Sequence, residues 1–66
     1  MDREYTAKEL IDSIVSKGLD IKSLRTQIGN EVNISTIYRW QTGKQEIQRQ
    51  SDYNRILKIY KAVNDI

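Results

Sequence analysis

Apolar residues return every three or four positions in four segments of the chain, which is the spacing of an α-helix rather than of a strand. The first segment predicts a helix over about residues 7–17. Thr6 and Glu9 form a capping-box pattern at its start, in which each side chain can bond the other residue's backbone N–H group. Lys17 and Gly18 are expected to end it, because a cation and a glycine are favoured at a helix C-terminus.

The next two segments predict short helices over about residues 21–28 and 34–42, joined by a turn that contains glycine. Asp20 is the expected N-cap of the earlier helix, and Asn33 is the expected N-cap of the later one. Gly43 is expected to end the later helix in the left-handed conformation. Two short helices joined in this way are typical of a helix-turn-helix.

The last segment predicts a helix over about residues 52–64, with Ser51 as its N-cap. Its apolar stripe consists of Tyr53, Ile56, Leu57, Tyr60 and Val63, and Ile59 and Ile66 widen it. Such a stripe can be core alone, or core together with a dimer contact. The polar sequence of residues 44–50 predicts a loop, with or without one helical turn. Ile47 is the apolar anchor of this loop. We therefore expect an all-α fold: a compact bundle of four to five short helices, forming one domain over residues 1–66.

The two faces of the predicted helix 34–42 differ in chemistry. Ile37 and Trp40 share the face that is expected to pack on the core. The opposite face is mostly hydrogen-bonding and consists of Ile34, Ser35, Tyr38, Arg39 and Gln41. An apolar back and a front of hydrogen-bonding groups suit a helix that enters the major groove of DNA. The alternative interpretation is a solvated surface helix without a partner.

The composition argues against most catalytic functions. The chain has no cysteine and no histidine, so it lacks thiolate ligands, the usual general base and the commonest metal ligand. We therefore expect no enzyme, cofactor or small-molecule ligand, although a magnesium site of carboxylates alone stays formally open. No apolar run approaches the ~20 residues of a membrane-spanning helix. We expect no membrane partner and a location in the cytoplasm or nucleoid of the host cell.

The distribution of charge favours the middle of the chain as a site for phosphate. Residues 21–50 contain five Lys or Arg and two Asp or Glu, while the whole chain has a net charge of +2. Lys22 and Ser23 at the start of the second helix are candidate phosphate contacts, and so are Gly43 and Lys44 after the third. The alternative interpretation is that these four are ordinary exposed residues that bind no ligand. Because a domain of charge +2 would bind DNA weakly alone, we expect a homodimer that reads two half-sites.

The segment from Val32 to Gly43, Val-Asn-x-x-Thr-Ile-Tyr-Arg-Trp-x-x-Gly, resembles the second half of the helix-turn-helix in the Cro and phage-repressor (XRE-type) family. Leu24 with Ile28-Gly29 resembles its first half, and residues 55–63 resemble its closing helix. The resemblance implies that the third helix enters the major groove and that Ile37 and Trp40 belong to the core. It implies DNA contacts at Asn33, Ile34, Ser35, Thr36, Tyr38 and Arg39, and phosphate contacts at Gly43 and Lys44.

The chain departs from the family pattern at two places. Asn30 and Glu31 lengthen the turn by two residues, and Arg25 stands where the family prefers a small residue. Arg25 is expected either to extend outward along its apolar stem or to shift the second helix. The Thr-Ile-Tyr-Arg-Trp sequence is also similar to winged-helix proteins of the excisionase and MerR type. Those proteins add a β-hairpin, and residues 45–50 lack the alternation that a hairpin needs.

We therefore expect a sequence-specific regulator of transcription that binds double-stranded DNA, of phage or mobile-element type. Arg39 is the best candidate for a guanine contact, because its forked donors match the O6 and N7 acceptors. Ile34 is a candidate for contact with a thymine methyl group. The alternative function is a small helical protein-interaction module, suggested by the wide stripe of the last helix with Tyr53 and Tyr60.

Overall fold

The computed structural model describes residues 3–29 and 31–65 and contains four helices. These helices are α1 (Ala7–Ser16), α2 (Ile21–Gln27), α3 (Ile34–Thr42) and α4 (Gln50–Val63). The prediction of a compact all-helical bundle is confirmed. The described residues contain no strand, so residues 44–49 form a loop without the hairpin of a winged helix. Asn30, part of the predicted turn extension, and Ile66, part of the predicted stripe of the last helix, lie outside the described residues.

The local signals at the helix ends are confirmed for the first three helices. Both halves of the capping box are present: the Glu9 N–H donates to Thr6 Oγ1 at 3.2 Å, and the Thr6 N–H donates to Glu9 Oε1 at 2.8 Å. The side chains of Asp20 and Asn33 accept from backbone N–H groups at the starts of α2 and α3. Gly43 ends α3 with φ of +82°, in the left-handed region that glycine tolerates best.

The predicted start of α4 at Ser51 is wrong. The helix begins at Gln50, its N-cap is Arg49, and no side chain forms a capping hydrogen bond. The Arg3 side chain donates to the carbonyl of Ile47 and, at 3.3 Å, to Gln50 Oε1, so the N-terminal segment fixes the chain just before the helix. Ser51 consequently lies inside the first turn of α4 and is exposed.

The core forms where α1 packs against both α3 and α4, while α2 packs against α3. All four helices and the loop contribute the buried apolar residues, which are Ala7, Leu10, Ile11, Ile14, Ile21, Leu24, Ile28, Ile37, Trp40, Ile47, Tyr53 and Ile56. The predicted anchor Ile47 is thus confirmed. Only the first half of the α4 stripe is buried, and its later residues lie half-buried at the edge of the core. No helix in the described ranges is long and apolar enough to cross a membrane.

We expect Thr6→Ala to lower the free energy of unfolding by about 1 kcal/mol, because the Glu9 N–H loses its acceptor. For a domain of this size that corresponds to a melting temperature lower by roughly 4–8 °C. Ser51→Ala is the matched control and should change stability by less than ~0.5 kcal/mol. Urea denaturation followed by circular dichroism measures both variants. An equal loss in Ser51→Ala would contradict the observed start of α4.

Candidate nucleic-acid interface

One face of α3 is a stripe of exposed polar and aromatic residues: Ser35, Tyr38, Arg39 and Thr42. Their spacing of three, four and seven positions places them in line along the helix. Tyr38 is 49% exposed, which is unusual for so large a side chain in this protein. No acidic residue occurs from Val32 to Gln45. We call these four residues the α3 stripe. The α3 stripe can donate and accept hydrogen bonds, and it contains no negative charge that would repel a phosphate.

The back of α3 anchors the stripe to the rest of the molecule. Ile37 is completely buried and Trp40 is 3% exposed, as predicted from their spacing. Ile34, Thr36 and Gln41, which were also predicted to contact DNA, are half-buried, and Ile34 packs against the core. The structure therefore places these three at the margins of the exposed face.

Thr36 and Asn33 line a polar cleft of about 220 Å³ on one side of α3. The cleft also involves Trp40 from the same helix, and Arg49 and Asp52 from the start of α4. Thr36 precedes Trp40 by four positions, so the two share one side of the helix. Asn33 and Thr36 therefore lie beside the α3 stripe rather than within it.

Hydrogen bonds at the start of α3 determine which groups can contact a ligand. The Asn33 Oδ1 atom accepts from the Ser35 backbone N–H at 3.0 Å and from the Ser35 hydroxyl at 2.9 Å. In this arrangement the Ser35 hydroxyl has used its single proton and can only accept a further hydrogen bond. Ser35 therefore suits a donor on a ligand, such as the amino group of a base.

The end of α3 offers fewer donors than the sequence suggests. The Gly43 N–H donates to the Trp40 carbonyl at 3.2 Å, and the Lys44 N–H donates to the Arg39 carbonyl at 3.0 Å. The backbone N–H groups of these two candidate phosphate contacts therefore already have acceptors within the helix cap. The exposed ammonium group of Lys44 is the part of this segment that can bind an anion.

At the start of α2, too, a backbone N–H group that could bind a phosphate already has an acceptor. Lys22 and Ser23 are exposed there, but the Ser23 N–H already donates to the Asp20 carboxylate at 2.8 Å. The hydrogen bond from the Ser23 N–H lowers the pKa of the Asp20 carboxyl, so this cap stays charged at neutral pH. A negative charge on the cap opposes a second anion. The Lys22 ammonium is therefore the better candidate of the two for a phosphate contact.

Arg25 holds the turn between α2 and α3. Its Nε donates to the carbonyl of Val32 at 2.8 Å, and its side chain is half-buried. Val32 immediately precedes the N-cap of α3, so the guanidinium reaches across the turn and fixes where α3 begins. Of the two expected outcomes for this residue, the outward extension does not occur.

Other residues that the sequence did not single out belong to this region. Thr42 extends the α3 stripe, and its spacing of seven positions from Ser35 would have revealed it. Glu46 fixes the loop after α3, because its carboxylate accepts from the Ala7 N–H at 2.9 Å, at the start of α1. The stem of Lys8 lies against Gly43, and its ammonium pairs with Asp12 at 2.9 Å. The sequence contains no local signal for the contact of Glu46 with Ala7 or of Lys8 with Gly43, whereas Lys8 and Asp12 have the i,i+4 spacing at which helix side chains pair.

In residues 3–29 and 31–65, no three Asp or Glu side chains come together in a way that could hold a metal ion. No family model, curated protein or solved structure matches the chain. The interface therefore has to be judged from its own geometry and charge.

We expect Arg25→Met to lower the free energy of unfolding by about 1–2 kcal/mol, because Val32 loses a charged donor while the apolar stem is kept. Lys22→Met is the matched control, since Lys22 lies on the same helix and is exposed. It should change stability by less than ~0.5 kcal/mol. Urea denaturation compares the two. Equal effects would mean that the bond from Arg25 to Val32 does not form in solution.

Proposed function

We propose that this protein is a sequence-specific regulator that binds double-stranded DNA with α3 in the major groove. The observation that carries the proposal is the α3 stripe, an exposed line of hydrogen-bonding groups in a segment without acidic residues from Val32 to Gln45, on a helix whose back is buried in the core. The resemblance of the segment Val32–Gly43 to the Cro and phage-repressor family supports the same function.

The dimensions of α3 suit this role. Its nine residues make a helix about 13 Å long, and the major groove is about 12 Å wide. All four stripe residues can therefore face base edges in a single crossing of the groove. Arg39 lies within the stripe and can donate two parallel hydrogen bonds to guanine O6 and N7. Ser35 can accept from a base amino group, and the ring of Tyr38 can contact a thymine methyl group.

Lys22 and Lys44 supply the phosphate contacts in this arrangement. Both are exposed, and they lie on either side of the α3 stripe in the sequence, at the start of α2 and after the end of α3. Two phosphate contacts give weak binding, because the affinity for DNA backbone grows with the number of ion pairs formed. We therefore propose that two copies bind together, each reading one half-site.

Fluorescence anisotropy of a labelled random-sequence duplex, titrated at several salt concentrations, tests the phosphate contacts. With two contacts per protomer, the logarithm of the association constant should fall against the logarithm of salt with a slope of about −2 for one copy and −4 for two. Lys44→Ala should make the slope less negative by about 1 per protomer, while the control Lys17→Ala should leave it unchanged. Absence of binding at ~50 mM salt would refute DNA binding as proposed.

Arg39→Ala tests base recognition once the preferred site has been selected from a random library. Affinity for the selected site should fall roughly 5- to 150-fold, the effect of losing one bidentate base contact. Affinity for random duplex should fall much less, and Lys17→Ala should change neither constant. Equal losses on both duplexes would show that Arg39 contacts only phosphate.

A further inference from the structure

A second surface lies on α4, where the helix runs past the end of α2. The surface is a cleft of about 390 Å³ that we call the α4 cleft. Its lining consists of Gln27, Arg55, Lys58, Ile59, Ala62 and Val63. Ile59, Ala62 and Val63 make its floor apolar, while Arg55 and Lys58 add two cations. It shares no residue with the α3 stripe.

The cleft lies beside the end of α2. The helix ends at Gln27, and Arg55 Nη1 donates to the Ile28 carbonyl at 3.1 Å, which joins the end of α2 to the middle of α4. Beyond this point α4 continues for two more turns. Ile59 and Val63 pack on the core with one side and keep the other exposed. The aliphatic floor is therefore held in place by the fold, and it is open on its outer side.

The charged residues that line the cleft, Arg55 and Lys58, are both cations, and Asp65 lies beyond the end of the helix. The exposed charged residues of α4 are Arg55, Lys58 and Lys61, and the single acid of this helix, Asp52, is buried near its start. The lining contains no acidic residue. A second copy of the chain that presented the same face would place cations against cations, which disfavours a symmetric dimer here. An acidic occupant is complementary both to the rim and to the aliphatic floor.

We propose that the α4 cleft binds an acidic amphipathic segment of another protein. An aliphatic side chain of the partner lies on Ile59, Ala62 and Val63, and its carboxylates pair with Arg55 and Lys58. This is the way in which an amphipathic helix docks into an apolar groove with charges at its edge. The site is separate from the α3 stripe, so it would let a DNA-bound copy recruit a protein at the same time. The inference does not depend on DNA binding.

An NMR titration of the 15N-labelled protein tests the site. The probe is a helical peptide of about 12 residues, ~18 Å long, with leucine on one face and glutamate on the other. We expect its addition to shift the amide signals of Gln27 and of residues 55–63 and to leave those of α3 unchanged. The matched peptide, with every glutamate replaced by glutamine, should bind at least roughly fivefold more weakly.

Two charge-reversal variants test whether the cations that line the α4 cleft bind the peptide. Lys58→Glu should weaken binding of the glutamate peptide roughly fivefold or more, because the change removes an ion pair and adds repulsion. Lys61→Glu carries the same charge change on the same helix outside the cleft and should have a much smaller effect. Both positions are exposed, so each variant should retain the fold, which its NMR spectrum verifies.

Several results would overturn the proposal. The first is no binding at ~1 mM peptide, a concentration that detects even weak binding with a free energy near −4 kcal/mol. The second is equal binding of the glutamate and glutamine peptides. The third is an equal effect of Lys58→Glu and Lys61→Glu on peptide binding. A further one is a DNA duplex that shifts the same α4 signals and displaces the peptide, which would make the cleft a nucleic-acid surface. Failure of DNA binding at the α3 stripe would leave this test unaffected.

Discussion

The burial of Ile37 and Trp40 is the constraint on which the rest of the structure depends. A nine-residue helix is too short to be stable alone, so α3 exists because its back packs on the core. The Trp40 Nε1–H has no acceptor among the described residues, and a buried donor left unpaired costs at most about 1–3 kcal/mol. Burying an aromatic ring of 150–250 Å² contributes roughly 4–6 kcal/mol at 25 cal/mol/Å². The area of the ring therefore outweighs the unpaired donor.

Packing alone would leave the ends of α3 free to fray, and contacts from other elements prevent this. Arg25 bonds the carbonyl that precedes the N-cap, and the cap at Gly43 closes the last turn. Glu46 then fixes the following loop to the start of α1. The stripe is thus oriented before any ligand arrives. A ligand that binds it does not have to order the helix, so less of the binding free energy is lost to conformational entropy.

The distance between interacting residues along the chain decides how much the sequence predicts. Thr6, Asp20 and Asn33 cap helices through neighbours two or three positions away, so local patterns predict them correctly. The start of α4 depends on Arg3, more than forty positions earlier, and no local pattern contains that contact. The contact of Glu46 with the Ala7 N–H also joins residues far apart in the sequence, so no local pattern predicts it. Thr36 is different: its spacing from Trp40 already indicates the side of α3 that faces the polar cleft, so helical geometry predicts its place.

The positions of the acidic residues explain how a chain of modest net charge keeps cations beside α3 and on α4 without acidic partners. Five of the nine acidic side chains are used in structural positions: Glu9 and Asp20 cap helices, Glu46 bonds the start of α1, Asp12 pairs with Lys8, and Asp52 is buried. Within residues 3–29 and 31–65 the pair of Lys8 and Asp12 is the only ion pair, so the cations beside α3 and on α4 are in direct contact with no carboxylate. Hydrogen-bonding groups favour base edges at the α3 stripe, whereas the aliphatic floor of the α4 cleft favours a protein.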